Sequence, residues 1–240
     1  MAVRTLYDLC GKDDRLRFSP YCWRAKLALK HKGLNFETIA WRFTEKEALA
    51  FSAQGAASER KVPVFTDEDD TAVSDSFEIM RYLDRTYPDK PLLGNDMAQE
   101  RARFIKFWSE TQLAPAIMKI AILDIFALID PADKEYFRTS REKRFGTTLE
   151  AFKDPEQGRQ MLATALAPLR ARLSEAPYID GDAPGGADYL AFGFFMMPYT
   201  VLSEDLFAAD DIVSQWQTRL LDAFGSYARN TTRASDIAMH

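Results

Sequence analysis

The feature that most constrains this chain is a change of hydrophobic period near residue 90. From about Met97 onward no run alternates as a strand would. Apolar residues recur at helical spacing instead, with Phe104, Phe107 and Trp108 followed by Ile117, Ile120, Ala121 and Leu128. The pattern continues over 135–152, 157–173, 188–202 and 212–224, interrupted by a turn-rich stretch at 181–186. Before residue 90, strands and helices take turns. Residues 4–9 (RTLYDL) alternate enough for a first strand. Ser19 is a good N-cap and Pro20 a good first helical residue, so a helix starts there, and Gly33 stops it. Residues 35–40 read as a second strand and 61–66 as a third, with a proline near its start. Residues 71–73 read as a fourth strand, and 74–87 as an amphipathic helix ended by Pro88. Between strands two and three, 44–54 has helical composition and 55–61 reads as a loop. This β-α-β-α-β-β-α order followed by helices alone predicts an α/β N-terminal domain over 1–90, a linker at 91–96 and an all-α C-terminal domain over 97–240. The tail after Ala228 is polar and reads as loose, His240 included.

Composition narrows the function classes. The 240 residues are 47% hydrophobic and 28% charged, enough to bury a real core. A net charge of −5 argues against nucleic-acid binding, which needs clustered Lys and Arg. The basic run at 138–144 contains Glu142 and reads as the coat of a helix. The two cysteines, Cys10 and Cys22, form no CxxC pair, which excludes a disulfide framework and suits a reducing compartment, the cytoplasm. The two histidines, His31 and His240, give no basis for a histidine triad or a metal site, so no metal is expected. The N-terminus (MAVRTLYDLC) has no apolar signal core. Residues 113–129 are apolar but carry Lys119 and Asp124, so a buried helix is expected and no membrane span.

The stretch RFSPYCWRAKLALKHKG, residues 17–33, has the layout of the C-P-Y-C redox box of glutaredoxins, with Ser19 where the attacking thiol would stand. Dithiol chemistry is therefore missing its first sulfur, and Cys22 reads as a packing residue. A serine hydroxyl is a poor nucleophile without a base, but it can cap a helix or donate to an anion at the helix's positive end. Two more positions are open to two readings. Pro63 fits an ordinary edge-strand proline as well as a special turn. Ser74, Asp75 or Ser76 can cap the following helix with Glu78 closing a box, and the same helix N-terminus can receive a carboxylate.

Ser-Pro at the first helix, Val62-Pro63 at the third strand and Asp75-Ser76 at the next helix, in this order, resemble the glutathione S-transferase superfamily over nearly the whole chain. The resemblance implies a thioredoxin-like N-terminal domain and an all-helical substrate domain. Within the superfamily, SPYCWRAKLALKHKG and SDSFEIMRYLDRTYPDKPLL look most like serine-type bacterial and fungal members, among them the glutathione-dependent β-etherases. It further implies glutathione as cofactor, with Ser19 as the catalytic hydroxyl that holds the thiolate. A cis Val62–Pro63 bond would turn the Val62 backbone toward the tripeptide, and Asp75 and Ser76 would meet the charges of its γ-glutamyl end. The glycine carboxylate needs a cation; Arg42, Lys46, Arg60 and Lys61 are all candidates, and Lys61 has the best address. Tyr7, inside the first strand rather than at its exit, has a poorer frame than Ser19 for activating a thiol.

A hydrophobic, aromatic electrophile is expected in a pocket lined by Tyr21, Met118, Ile122, Phe126 and Tyr199. Members usually pair, so a homodimer is expected. The activities implied are glutathione transfer, its narrower form β-aryl ether cleavage, or non-enzymatic binding. Three departures stand out. Gly185 replaces the hydroxyl of a Ser/Thr-x-x-Asp box at 185–188, the 10–18 loop is long enough to reach over the pocket, and 41–60 is extended.

Overall fold

The computed structural model describes residues 3–237; His240 lies outside them. The alternation of the first ninety residues becomes a four-stranded mixed sheet. Its strands are β1 (Thr5–Leu9), β2 (Glu37–Trp41), β3 (Val64–Thr66) and β4 (Ala72–Ser74), in the order β2-β1-β3-β4. β1 runs parallel to β2, with Tyr7 opposite Ile39, and antiparallel to β3, with Leu6 opposite Phe65. The parallel pair needs a crossover, which α1 (Pro20–Lys32) supplies. Ser19 caps α1 and Gly33 ends it at φ 72°. α2 (Ser76–Thr86) follows β4 and closes the α/β layer.

α1 is buried nearly all round, because the sheet and α2 cover one side and the helical region the other. Its polar residues are therefore paired. Lys26 reaches the fully buried Asp8 of β1 at 2.9 Å. Arg24, also fully buried, donates to Glu110 at 2.8 Å, to Ser109 Oγ at 2.9 Å and to the Leu190 carbonyl at 2.9 Å. These three bonds tie the first helix to the helical region. Gly193 allows the closest approach, since a Cβ there would run into the Pro20 carbonyl.

The helical region begins with α3 (Asp96–Trp108), a π turn over Ser109–Leu113, and α4 (Ala114–Leu128). Pro115 lacks the N–H that would bond back to Thr111, which accounts for the widened turn. This stretch is long and apolar enough to cross a membrane by length and composition, yet Ile117, Ile120, Ala121, Ile122 and Ile125 are buried as core.

Then come α5 (Lys134–Phe145), α6 (Leu149–Phe152), α7 (Pro155–Ala165), α8 (Ala167–Glu175), α9 (Gly186–Val201), α10 (Ile212–Ser226) and α11 (Ala234–Ile237). The long helices expected over 135–152 and 157–173 are each two. Gly146 turns the chain left-handed at φ 69°, and Pro168 sits in the first turn of α8. The tail is also more ordered than expected. Arg233 donates to the carbonyls of Tyr199 at 2.9 Å and Leu202 at 3.3 Å, which docks α11 against α9.

Gly185 begins α9 without a side-chain cap, and the deficit is made good from a distance. Asp180 Oδ2 accepts the Ala187 N–H at 2.9 Å and occupies the space that a Cβ on Gly185 would need. Asp188 is fully buried. It accepts from Ile179 N at 2.8 Å, Asp180 N and Gly185 N at 3.2 Å each, and Trp216 Nε1 at 2.8 Å.

Candidate functional site

A cavity of about 420 Å³ opens where the C-terminal ends of the parallel strands β1 and β2 face the helical region. That is a normal size and place for a small-molecule site. One wall is built from the N-terminal domain: Leu9, Ser19, Pro20, Tyr21, Trp41, Phe43, Lys61, Val62, Pro63, Asp75 and Ser76. The facing wall comes from α3 to α5 and α9. It includes Lys106, Glu110, Met118, Tyr136, Phe137, Arg141, Arg144 and Phe194.

Two helix N-termini end in this cavity. Ser19 Oγ accepts the Cys22 N–H at 3.3 Å, as an N-cap should. That bond uses a lone pair and leaves the O–H for an acceptor. The hydroxyl lowers the pKa of the neighbouring Cys22 thiol, the direction it would exert on any sulfur beside it. Burial and the Asp8 charge outweigh it and push that thiol above its usual range. Cys22 is therefore a packed, inert thiol, and burial likewise holds Cys10 at about 11.

At α2 the cap is Asp75, whose Oδ1 accepts from Phe77 N at 2.8 Å and Glu78 N at 3.3 Å. Its backbone sits at φ 72°, a region costly for a residue with a Cβ, and those two bonds hold it there. Glu78 closes no box and pairs with Arg81 instead. The Ser76 hydroxyl is buried, lines the cavity and has no hydrogen-bond partner among the described residues. A desolvated hydroxyl without a partner is costly in a folded protein, so it points to a ligand group.

Between the two helix ends runs Val62–Pro63, which is cis. Pairing of β3 begins at Val64, so the Val62 backbone lies outside the ladder and beside the cavity. The four cation candidates separate by their partners. Arg42 is engaged by Asp14, Glu45 and Asp130, and Arg60 by Glu47 at 3.0 Å. Lys46 lines the cavity but donates to the Arg60 carbonyl at 2.7 Å. Lys61 lines it too, is exposed, and has no ion pair among the described residues.

The second-substrate expectations divide. Tyr21 and Met118 line the cavity. Tyr21 is held edge-to-face on Phe194, 5.7 Å between centroids, with the Arg24 guanidinium 5.1 Å over its ring. Ile122, Phe126 and Tyr199 are not among the lining residues. Ile122 is fully buried core, and Phe126 packs behind Phe137 at 6.1 Å. Tyr199 turns to the Arg229 carbonyl, in a smaller cleft on the far side of α9. Helical spacing finds apolar positions but cannot separate core from cavity wall when both are apolar. The long 10–18 loop does not cover the cavity either. Its backbone folds back, with Gly11 N bonded to Leu16 O at 3.0 Å and Lys12 N to Leu128 O at 2.8 Å, so only its end residue Phe18 lines the site. Tyr7 packs on Phe51 at 5.3 Å and does not line the cavity.

The charged residues of the second wall were missed. Glu110 and Lys106 reach the cavity beside the π turn, paired at 2.9 Å. Arg141 and Arg144 belong to the run read as a helix coat. Arg138 does coat α5, bound to Glu142 and Glu150 at 2.8 Å each, but Phe137, Arg141 and Arg144 share the inward face at 3–4 spacing.

Family models agree with this architecture. Residues 18–86 match the N-terminal domain of glutathione S-transferases and residues 101–227 match their C-terminal domain. The chain belongs to the glutathione S-transferase family. Among curated members, it is 27% identical over 179 residues to glutathione S-transferase U22 of Arabidopsis thaliana, covering 74% of this chain and 68% of that protein. Mouse glutathione S-transferase omega-1 is 24% identical over 184 residues, covering 75% and 63%. Among solved structures, glutathione transferase GSTFuA3 of Phanerochaete chrysosporium superposes with a TM-score of 0.81 at 22% identity, covering 95% of this chain and 98% of that one. A glutathione S-transferase of Ceriporiopsis subvermispora in complex with glutathione gives 0.80 at 22%, covering 94% and 97%. These likenesses place the fold of this family member. The serine at position 19 and the cationic second wall are read from this chain itself.

Proposed function

We propose that this family member is a glutathione transferase that presents the thiolate of glutathione at Ser19 to an apolar, aromatic electrophile. The observation that carries the reading is the pair of buried hydroxyls, Ser19 and Ser76, each at a helix N-terminus on one cavity, with Ser76 Oγ unpartnered among the described residues. In this reading the γ-glutamyl carboxylate takes Ser76 Oγ and the α2 N-terminus, and its ammonium takes Asp75 Oδ2, which the cap leaves unused. The tripeptide backbone pairs with Val62, and Lys61 takes the glycine carboxylate.

The Ser19 O–H and the α1 N-terminus then face the sulfur. A free thiol titrates near about 8.5, and each unit of depression favours the anion by about 1.4 kcal/mol. Thiolate stabilisation and proximity supply the rate; the protein donates no sulfur of its own. Calorimetry with glutathione and a conjugation assay test this. Ser19→Ala is expected to keep glutathione binding and to lose about 10²–10³-fold in turnover. Equal turnover would remove Ser19 from the mechanism, and absent binding would leave only a non-enzymatic role.

The aromatic lining, Tyr21, Trp41, Phe43, Phe137 and Phe194, also favours β-aryl ether cleavage as a narrower reaction. Release of a phenol from a model lignin dimer would distinguish it. Exposed Met97, Phe104 and Phe107 on α3 support pairing with a second copy, read by sedimentation velocity. The buried, unpaired Cys10 and Cys22 support a cytoplasmic location.

A further inference from the structure

Five cationic side chains line the cavity, Lys46, Lys61, Lys106, Arg141 and Arg144, against two carboxylates, Asp75 and Glu110. The chain as a whole carries a net charge of −5, so this concentration is local. Most of these charges have protein partners. Glu110 is held by Arg24 and Lys106, Asp75 caps α2, and Lys46 donates to the Arg60 carbonyl. Lys61, Arg141 and Arg144 have no ion pair among the described residues. Arg141 is half-buried, its guanidinium 5.0 Å from the centre of the Phe43 ring and 4.5 Å from Phe137, and it donates to Ser140 Oγ at 2.8 Å. Burial and the like charge of Arg144 both lower its pKa; the Tyr136 hydroxyl offsets them in part, but no carboxylate does. Arg144 sits at the rim, and its charge reaches Tyr21, whose hydroxyl burial nevertheless pushes up in pKa.

Holding a half-buried guanidinium beside a second cation at the rim, with no carboxylate between them, is unfavourable unless an anion joins them. Glutathione, placed as above, has no anionic group left for them. Its two carboxylates go to α2 and Lys61, and its sulfur goes to Ser19.

We infer that the second wall is an anion subsite, in which Arg141 and Arg144 hold a carboxylate carried by the aromatic electrophile. The inference rests on the transferase reading for the placement of glutathione. The substrate class becomes an aromatic acid with a leaving group on the ring, seated on Phe137 and Met118 with its carboxylate toward α5. The thiolate forms the C–S bond at the ring carbon, the C–halogen bond breaks, and halide leaves with its electron pair. The thiol proton has already passed to solvent.

The test compares 4-chloro-3-nitrobenzoate with its amide, each enzymatic kcat/KM divided by the uncatalysed rate of the same compound. The intact protein is expected to favour the acid by about 10-fold or more. Arg141→Gln and Arg144→Gln should each cut that ratio about 10-fold or more, with Arg141→Lys restoring part of it. Arg144 is exposed, so its variant reports even where loss of Arg141 packing impairs folding. An acid-to-amide ratio near one in the intact protein, or one unmoved by both glutamine variants, overturns the inference. So does a 10-fold loss of glutathione affinity in Arg141→Gln, because the guanidinium would then serve the glycine carboxylate. The two readings fail separately. Glutathione that does not bind by calorimetry sinks the transferase, while direct titration of the benzoate against the benzamide still reads the anion subsite.

Discussion

Helix N-termini in this protein are treated in two opposite ways. At α1 and α2 each end opens on the cavity and carries one short capping side chain, Ser19 or Asp75. At α9 the end is sealed. Two carboxylates, Asp180 and Asp188, and the Trp216 indole fill the space around it, and Gly185 contributes no side chain at all. The physics is the same in each case, since unpaired N–H groups and the positive end of the helix attract an anion. What differs is the source of the anion. At α9 the protein supplies its own, and the result is rigidity in the helix that passes the first turn of α1. At α1 the protein supplies no anion, and at α2 it supplies only the cap Asp75 and leaves Ser76 Oγ without a partner among the described residues.

The largest effect expected from this contrast is at the sealed end. Asp188→Ala removes the acceptor for three backbone N–H groups and the Trp216 indole, the Gly185 N–H and the indole in the interior and the others part-buried. A loss of about 3–5 kcal/mol in urea denaturation is expected, enough to unfold a marginal domain. A loss under about 1 kcal/mol would mean the seal is decorative. The open end should respond in the other sense. Ser76→Ala removes a buried hydroxyl that has no partner among the described residues, so stability should hold or rise by up to about 1 kcal/mol. Glutathione affinity should nevertheless fall about 10-fold in calorimetry. Both quantities falling together would make Ser76 a structural residue and erase the contrast.

The open ends were legible in the sequence, and the sealed one was legible only in part. Ser19-Pro20, Val62-Pro63 and Asp75-Ser76 are contiguous pairs whose roles follow from local backbone chemistry, so a linear reading reaches them. The sheet order and the switch to helices were readable for the same reason, because period is local. Asp188 could be read as half of a box, but its partner Asp180 lies eight residues upstream across a turn, in place of a missing side chain. The cavity's second wall was least accessible. Arg141 and Arg144 differ from Arg138 only in which side of α5 faces inward, and that is set by packing against Phe43, a residue some hundred positions earlier. Ile122, Phe126 and Tyr199 failed in the mirror image of this: apolar and correctly spaced, but turned toward core or the far face.

The smallest expected effect separates charge from geometry at the sealed end. Burial, and then the Asp188 charge, lift the Asp180 carboxyl to about 6, whereas an unfolded Asp titrates near about 3.9. The native state thus holds this proton more tightly than the unfolded chain. Its contribution is full below about pH 3.9 and is lost as the pH rises through about 6. The residue remains at the surface, so screening limits the swing to about 1 kcal/mol or less. Asp180→Asn keeps an oxygen for the Ala187 N–H and removes the charge. Urea denaturation from pH 4 to 8 should show the variant more stable than the parent above pH 6, with the two curves converging toward pH 4. If the variant is instead weaker above pH 6, the helix end values the negative charge over the cost of crowding Asp188. The sealed and open ends would then be the same kind of anion site, one filled by the chain and the other by its ligand.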